Sequence, residues 1–387
     1  MSSYYVKPRI YMGRDGVGEC LKGKSRAFIV TDKFMHESGK AAYITDICDR
    51  MGVAYEIFSE IKPDPDIATV TKGISRMAEF RPDVLFALGG GSSIDAAKAM
   101  NYLSSREGFA EKAYFAAIPT TSGTGSEVTT FAVISDPEKK AKYPLISDEL
   151  LPEAAILDAE LTKTVPPSVT ADTGLDVLTH GIEAYVSINA NDFTNAAAEK
   201  AIRLVYRHLP NAYRAALKKP EEITAEDLEE RQRMHNASCL AGMAFSNAGL
   251  GLNHGMAHTL GGHFHIPHGR ANAVLLPYVM SYNCGCHTGL TPAAEKYAKL
   301  SRILWIGSGS MRQDAFGAIR ATRQLVHQLK IPKSVQALGV PEEDYMAALD
   351  EMVEQALEDS CTATNPRVPT ADEVRELFLE VYKGRNF

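Results

Sequence analysis

The chain has 387 residues, of which 45% are hydrophobic and 23% are charged, and its formal net charge is -7 at pH 7. A chain of this length exceeds one ordinary hydrophobic core, so we expect two domains. The negative charge, with no Lys/Arg cluster to offset it, argues against nucleic acid or an anionic membrane as a partner and favours a small-molecule substrate.

The cysteines and the N-terminus indicate the compartment. The six cysteines show no framework spacing, and the first residues lack the apolar stretch of a signal peptide. No apolar run approaches the roughly 20 residues that a membrane-spanning helix needs. We therefore expect a cytoplasmic protein that does not cross a membrane.

In the N-terminal part of the chain, short β-rich runs alternate with helical stretches. The predicted strands are 27–31, 54–58, 83–88, 114–118, 131–134 and 154–157. One predicted helix begins at about residue 33, and the next covers about 66–80. This alternation is typical of βαβ units and predicts a parallel sheet. We expect the strand at 131–134 to be an antiparallel edge strand.

After Pro166-Pro167 the composition changes. Ala, Leu, Glu and Met dominate the remaining chain, and no β-branched run of strand length follows. A Pro-Pro pair cannot lie inside a helix, so it marks a domain boundary. The expected architecture is an α/β, Rossmann-like domain over 1–166 followed by an all-α domain over 167–387.

A glycine-rich loop follows the strand at 83–88. The sequence Gly89-Gly-Gly-Ser-Ser-Ile-Asp-Ala-Ala-Lys98 leads from a buried strand directly into a helix. Glycines let a backbone approach an anion closely, and the free N–H groups of a first helical turn favour phosphate, so Gly90, Gly91 and Ser92 are candidate cofactor contacts. The pattern is not Gly-x-Gly-x-x-Gly, and a tight packing turn is the alternative. Asp95 either contacts the cofactor or caps the helix.

A second loop, Pro119-Thr-Thr-Ser-Gly-Thr-Gly-Ser-Glu127, also follows a strand and strengthens the cofactor hypothesis. Its hydroxyl residues are Thr120, Thr121, Ser122, Thr124, Ser126 and, just beyond it, Thr129. A helix cap needs one hydroxyl, and the surplus suits ribose, phosphate and carboxamide groups. Asp32 ends the first predicted strand, where a carboxylate binds ribose hydroxyls and favours NAD over NADP; helix capping is its alternative role.

Histidines and one aspartate indicate a metal site. Asp176 and His180 are four residues apart in a helical segment, as are His254 and His258, and His268 follows Pro267. Side chains at this spacing project from one helix face, so one ion can be bound by both. A carboxylate with imidazoles suits Fe(II), Zn(II), Mn(II) or Co(II). Spacing alone does not separate His254 from His258.

Other metal-type residues receive weaker roles. His263 and His265 lie between the ligand candidates in the sequence. We expect them either to hydrogen-bond the ligands without contacting the metal or to line the substrate pocket. Cys284-Gly-Cys286-His287 has no second cluster, so we do not predict a metal there. Glu183 is either a carboxylate supporting the ligands or an ordinary solvated helix residue.

Two spaced patterns resemble the signatures of the iron-containing (group III) alcohol dehydrogenases. The first runs through Ile156-Leu-Asp158, Pro166, Asp176 and Glu183. The second runs through Gly251-Leu-Asn-His254, His258, Gly261-Gly262 and His268-Gly269, and the resemblance extends over nearly the whole chain. It implies the dehydroquinate synthase-like architecture of that family.

The resemblance also implies roles for individual residues. It makes Asp176, His180, His254 and His268 the ligands of Fe2+, with Zn2+ as the alternative, and it places His258 at the nicotinamide as a proton relay. The residues implied to line the NAD(H) cleft, beside the loop candidates Gly90 and Asp95, are Asp32, Asp64, Gly91, Ser92, Thr120, Thr121, Thr129, Phe131 and Lys142. The metal would act as a Lewis acid during hydride transfer between an alcohol and the nicotinamide.

Within that family, segments 58–65, 134–144 and 234–238 look most like the propanol and ethanol dehydrogenases of bacterial microcompartments. The expected substrates are therefore short primary alcohols and their aldehydes, and a homo-oligomer such as a homodimer is expected. Butanol, 1,3-propanediol and 1,2-propanediol (lactaldehyde) dehydrogenases are alternatives in the same family. A zinc enzyme resembling glycerol dehydrogenase and a catalytically inactive scaffold protein are further alternatives.

Overall fold

The computed structural model describes residues 4–137, 141–286, 288–307 and 309–385, without the side chains of residues 141 and 142. The described chain divides into two compact units, one formed by 5–164 and the other by 165–385 with Tyr4. The division falls just before Pro166-Pro167. The predicted order, an α/β region followed by an all-α region, is confirmed.

The first unit contains eight strands and five α-helices among its described residues. They are β1 Arg9–Met12, α1 Asp15–Leu21, β2 Arg26–Asp32, α2 Lys33–Glu37, α3 Ala42–Met51, β3 Ala54–Ile61, α4 Ile67–Phe80, β4 Val84–Gly89, α5 Gly91–Arg106, β5 Tyr114–Pro119, β6 Phe131–Asp136, β7 Ala141–Ile146 and β8 Ala154–Leu157. A 3-10 turn, Ser126–Val128, precedes β6. The elements correspond to the predicted βαβ alternation.

Six of these strands form a parallel sheet in the order β1-β8-β5-β4-β2-β3. Strands β4 and β8 are buried along their whole length, which explains why their sequences are continuously apolar and do not alternate. From β2 the chain moves outward to β3 and then returns past β2 to β4. The carboxyl ends of β2 and β4 therefore flank a topological switch point, where ligands of such sheets bind.

The prediction for 131–134 is wrong in one respect. β6 is antiparallel as expected, but it pairs with β7 in a separate two-stranded sheet and does not extend the main sheet. The sequence did not indicate β7, because Pro144 lies within it and proline is tolerated only in edge strands. β1 was missed as well, since four residues are too few to show a period.

The second unit is helical throughout its described residues. Its helices are α6 Pro167–Val186, α7 Asp192–Ala216, α8 Ala225–Ala248, α9 Leu252–Phe264, α10 His268–Cys284, α11 Ala294–Ile303, α12 Met311–Gln328, α13 Glu342–Glu358 and α14 Ala371–Lys383. Pro167 occupies the first turn of α6, where a missing N–H costs nothing. In the described chain, no helix is both long and apolar enough to span a membrane.

Close packing in this unit holds α6 in place. A Cβ built on Gly174 of α6 would lie 2.2 Å from Leu209 Cδ1 of α7. Only glycine permits that approach, so α6 lies directly against α7. The C-terminal part of α6 is buried on all sides, from Leu175 through Val186, and the polar side chains in this stretch are therefore buried too.

Candidate metal and cofactor sites

The four predicted ligands come together in the second unit. Asp176 and His180 lie on α6, His254 on α9 and His268 at the first position of α10, and one ligand atom of each lies within 4.8 Å of the others. The Nε2 atoms of His180, His254 and His268 are 4.0, 3.8 and 3.6 Å from Asp176 Oδ1. Three imidazoles and one carboxylate form a donor set that suits Fe(II) or Zn(II).

The cluster is open on one side. The side chains of Asp176, His180 and His254 are at most 5% exposed, whereas that of His268 is 42% exposed. The His180 ring is stacked between Phe245 and the His254 ring, with centroids 4.4 and 4.7 Å away. A substrate can therefore reach the cluster from the side of His268, while the other ligands are held rigidly.

Asn272, one turn after His268 on α10, shows that the ligand atoms converge. Its Nδ2 donates to Asp176 Oδ1 at 2.8 Å and lies 3.2 and 3.1 Å from the Nε2 atoms of His254 and His268. Asn253 Nδ2 donates to Asn272 Oδ1 at 2.8 Å, which fixes the direction of the amide. The lone pairs of three ligands thus point at a single small donor, the geometry that a cation also requires.

Glu183 binds His254 on the side of the ring that faces away from the four-ligand cluster. It is buried, its Oε1 accepts a hydrogen bond from the Asn253 N–H at 2.7 Å, and its Oε2 is hydrogen-bonded to His254 Nδ1. The interpretation of Glu183 as a solvated helix residue is therefore wrong. Occupation of Nδ1 leaves His254 Nε2 to face the cluster, as a carboxylate behind a metal-binding histidine does in many sites.

Burial sets the protonation of this cluster. It raises the pKa of Asp176 and, together with the neighbouring His180, His268 and His258, lowers the pKa of His254 well below its ordinary value. His254 is therefore neutral, the form in which an imidazole binds a metal. Unpaired carboxylate charge is costly at such depth, so the site favours a cation beside Asp176.

His258 belongs to a different group. Its Nδ1 lies 2.7 Å from Asp359 Oδ2, and together with Cys361 these residues form a cluster separate from the four ligands. Its ring stacks on the His268 ring with a centroid distance of 5.4 Å and is 45% exposed. The structure thus separates His254 from His258, which their spacing did not.

The remaining metal-type residues lie apart from the four-ligand cluster. His263 Nε2 is 3.2 Å from Gln355 Oε1, and His265 ends α9 in the left-handed region, with a φ of 53°. Both line a surface depression of about 700 Å³ that also includes Asp172 and Arg270. Cys284 is buried, and His287 of the Cys-Gly-Cys-His motif lies outside the described residues.

In the first unit, the glycine loop lies at the switch point of the sheet. Gly90 precedes α5, and no side chain caps this helix within the described chain. The Ser93 N–H donates to the Gly90 oxygen at 3.1 Å, so Gly91 and Ser92 carry the N–H groups that can face an anion, and the 16-residue helix places its positive end there. A Cβ on Gly91 would lie 2.8 Å from Thr124 Cγ2, so the two loops are in close contact at this point.

Asp32 lies beside this loop and caps a helix. Its Oδ1 accepts a hydrogen bond from the Met35 N–H at 2.9 Å at the start of α2. Its Oδ2 is 3.6 Å from a Cβ built on Gly89, so the carboxylate also borders the glycine loop. Capping uses one oxygen, and the cofactor role of the residue stays a prediction.

The interpretation of Asp95 as a helix cap is wrong, because α5 begins at Gly91 and Asp95 lies within it. Its carboxylate accepts hydrogen bonds from Ser126 Oγ at 2.5 Å and from the Val133 N–H at 3.0 Å. Lys98, one turn further on, donates to Thr129 Oγ1 and to the backbone oxygens of Thr129 and Phe131. These bonds tie the helix of the first loop to the second loop.

The other predicted cofactor residues lie in the same unit, most of them on loops, with Phe131 on β6 and Lys142 on β7. Thr129 is fully buried, whereas Thr121 is half-buried and the Thr120 N–H donates to the oxygen of Gly89 at 3.0 Å. Asp64 has a φ of 53°, a conformation that Asp and Asn tolerate, and its backbone oxygen accepts from Ser135 Oγ. The side chain of Lys142 lies outside the described part of the chain.

Several residues that shape the two sites were not predicted. They are Lys98, Glu127, Asn253, Asn272 and Asp359. The position of Asn272 four residues after His268 is a signal that could have indicated it, since such side chains share a helix face. Asp359 gave no local signal, because it meets His258 across 101 residues of sequence.

A parallel sheet with a phosphate-type loop and a buried three-histidine, one-carboxylate cluster define a metal- and nucleotide-dependent oxidoreductase. The family model described as "Iron-containing alcohol dehydrogenase" matches residues 8–159, and the model described as "Fe-containing alcohol dehydrogenase family, C-terminal" matches residues 170–382. The chain belongs to the iron-containing alcohol dehydrogenase family, as its resemblance predicted, and is an NAD-dependent alcohol oxidoreductase.

Individual relatives cover the whole chain. The 1-propanol dehydrogenase PduQ of Salmonella typhimurium is 42% identical, over 98% of this chain and 100% of its own length. The NADPH-dependent butanol dehydrogenase of Clostridium saccharobutylicum is 37% identical, with 98% of both chains covered. The structure of the iron-containing alcohol dehydrogenase of Thermococcus thioreducens superposes with a TM-score of 0.88 at 33% identity, over 99% of this chain and 100% of the other.

Proposed function

We propose that this alcohol dehydrogenase interconverts short primary alcohols and aldehydes, with propanol/propanal and ethanol/acetaldehyde as the preferred pairs and NAD(H) as the cofactor. The observation that carries the choice of substrate is the 42% identity to a 1-propanol dehydrogenase over 98% of this chain and 100% of that enzyme. His268 is 42% exposed whereas the other three ligands are buried, and an opening at one ligand suits a small substrate.

In this proposal, Asp176, His180, His254 and His268 hold Fe2+, and the same donors accept Zn2+. The bound ion supplies Lewis acidity toward the substrate oxygen. The chain itself keeps His254 neutral by burial and aims its Nε2 through Glu183. The ligand set is therefore prepared before the ion arrives.

His258 is the proposed proton relay. Its Nδ1 is engaged by Asp359, so Nε2 is the nitrogen that can accept a proton from the alcohol or return one to the aldehyde. Its exposed fraction of 45% gives that proton a route to solvent.

The cofactor residues are proposed from the loops of the first unit. Backbone N–H groups of Gly91 and Ser92 would bind the pyrophosphate, and hydroxyls of Thr120 and Thr121 would bind sugar or carboxamide groups. Asp64, Asp95, Thr129, Phe131 and Lys142 remain proposed members of the cleft. Asp32 would accept hydrogen bonds from the adenosine ribose and exclude a 2′-phosphate.

Two variants distinguish a metal ligand from the proposed proton relay. His268→Ala should lose bound metal and activity together, because it removes a ligand. His258→Ala should retain metal and fall in kcat by about 10²- to 10⁴-fold, the usual loss for a missing acid–base group. Metal content of anaerobically purified protein, measured beside the rates, separates these outcomes. Full activity of metal-stripped protein would refute the proposal.

The choice of substrate is tested by an anaerobic panel of C2 to C4 aldehydes with NADH, run together with 1,2- and 1,3-diols. We expect the highest kcat/KM for propanal and acetaldehyde. A butanol dehydrogenase is the second candidate, because a butanol enzyme is 37% identical over nearly the whole chain. A clear preference for butanal or for a diol would replace the proposed substrate without affecting the metal site.

Assembly and location complete the proposal. We also propose a homo-oligomer, a dimer or higher, and encapsulation in a bacterial microcompartment. The likeness of the sequence segments 58–65, 134–144 and 234–238 to enzymes of that group supports the encapsulation. Light scattering coupled to size-exclusion chromatography measures the oligomer. Co-purification with isolated shells from the native host tests encapsulation, and uniform recovery in the unencapsulated fraction would contradict it.

A further inference from the structure

His258 and Asp359 form a carboxylate–imidazole pair beside the four-ligand cluster. Asp359 follows the last residue of α13, and its side chain is only 18% exposed. Its Oδ2 lies 2.7 Å from His258 Nδ1, and its Oδ1 accepts a hydrogen bond from the Cys361 N–H at 2.8 Å. The carboxylate is thus anchored to the backbone on one side and holds the imidazole on the other.

We infer that Asp359 is a positioning residue, because it fixes both the orientation and the tautomer of His258. It would thereby prepare His258 for the proton transfer that accompanies hydride transfer. The inference rests on the proposed role of His258 as the proton relay. An ionised carboxylate can only accept, so the neutral His258 ring must carry its hydrogen on Nδ1. Nε2 then bears the lone pair that a proton acceptor requires.

The surroundings keep Asp359 ionised. Burial works against the charge, but hydrogen bonds from His258 and from the Cys361 N–H outweigh it and hold the pKa of Asp359 below its ordinary value. Glu183 binds the ligand His254 in a similar arrangement. Its Oε1 accepts a hydrogen bond from the Asn253 N–H, and its Oε2 is hydrogen-bonded to His254 Nδ1. Two histidines of this unit are therefore oriented by carboxylates that also bind a backbone N–H.

This double anchoring makes Asp359→Asn an informative change. The amide must turn its oxygen toward the Cys361 N–H, because two N–H groups would otherwise face each other. Its NH2 group then faces His258 Nδ1, which becomes an acceptor, and the hydrogen of the ring moves to Nε2. Asparagine should thus enforce the wrong tautomer, whereas Asp359→Ala only releases the ring.

We expect Asp359→Asn to lower kcat by about 10- to 100-fold, with the KM for the alcohol and the metal content unchanged. Asp359→Ala should be impaired less than Asp359→Asn, although it creates the larger void; a purely structural role predicts the opposite order. Glu358→Gln is the matched control, because it makes the same kind of change at an exposed carboxylate one residue before Asp359 and should keep the parental kcat.

A double-mutant cycle completes the experiment. If Asp359 acts through His258, Asp359→Asn should cause no further loss in a His258→Ala background. Histidine-selective ¹⁵N NMR of the zinc-loaded, full-length protein should show the His258 hydrogen on Nδ1 in the parent and on Nε2 in Asp359→Asn. The His258→Ala spectrum assigns the signal.

The outcomes are distinguishable. Loss of metal in Asp359→Asn, an additive loss in the His258→Ala background, or an unchanged tautomer overturns the inference. A slow His258→Ala with a fast Asp359→Asn overturns the inference and leaves the proposed relay intact. A fully active His258→Ala refutes the relay itself, and the role of Asp359 falls with it.

Discussion

Glu183→Gln is the most direct perturbation of the metal site that leaves all four ligands in place. Glu183 accepts a hydrogen bond from the Asn253 N–H through Oε1 and contacts His254 Nδ1 through Oε2. In glutamine, the single oxygen must stay on the N–H, so the NH2 group faces Nδ1. The hydrogen of His254 then moves to Nε2, the atom that faces the other ligands.

The expected cost follows from this exchange. A ligand held in the wrong tautomer must first rotate or shift its hydrogen, and loss of such supporting groups typically weakens metal binding about 10- to 100-fold. That range corresponds to about 1.4 to 2.7 kcal/mol. The metal-free protein should be little affected, because the amide has nearly the same shape as the carboxyl group that it replaces.

The assay is competition for Zn2+ or Fe2+ with a chelator of known affinity, under anaerobic conditions, beside thermal unfolding of the metal-free protein. Asp314→Asn is the matched control. Asp314 is a buried carboxylate of the same unit that accepts a hydrogen bond from Arg302 Nε at 3.0 Å and belongs to neither histidine cluster. It should lose stability and keep its metal affinity. Parental metal affinity in Glu183→Gln would refute the reasoning.

Two further predictions concern the first unit. Asp32→Asn keeps the helix cap but removes the negative charge beside Gly89. The ratio of kcat/KM for NADP to that for NAD should therefore rise about tenfold or more. Asp66→Asn is the control, because Asp66 caps a helix in the same way and its substitution should not change this ratio. Burial raises the pKa of Glu127 from 4.5 to about 7, so the folded protein retains a proton that the unfolded chain loses, and stability falls as the pH rises from 4.5 to 7. Glu127→Gln should remove about 3 kcal/mol of this fall in denaturation experiments at pH 5 and pH 8; parallel behaviour of the two proteins would contradict it.

The order of elements was predictable because it depends on local patterns. Continuous apolar runs such as β4, the glycine loop after it, and the Pro166-Pro167 pair are each visible within a few residues. The strand β7 was not visible, since Pro144 disfavours a strand and only its partner β6 makes the hairpin favourable.

The metal cluster shows the same division. The pairing of Asp176 with His180 follows from helical spacing, and the resemblance to the family removed His258 from the candidate ligands. Burial of Glu183 could not be foreseen, because a glutamate on a helix is usually solvated. It lies in a fully buried stretch of α6, where its carboxylate contacts Asn253 and His254 of α9.

By itself, the sequence determined the α/β region followed by helices, the phosphate-type loop and the residue types of the metal site, since these depend on neighbours along the chain. Only the tertiary structure decided which ring nitrogens converge, that Asn272 lies among the ligands, and that Asp359 and Glu183 orient His258 and His254. Hydrogen bonds act over about 3 Å, so a partner 101 residues away becomes known only when packing brings it within reach.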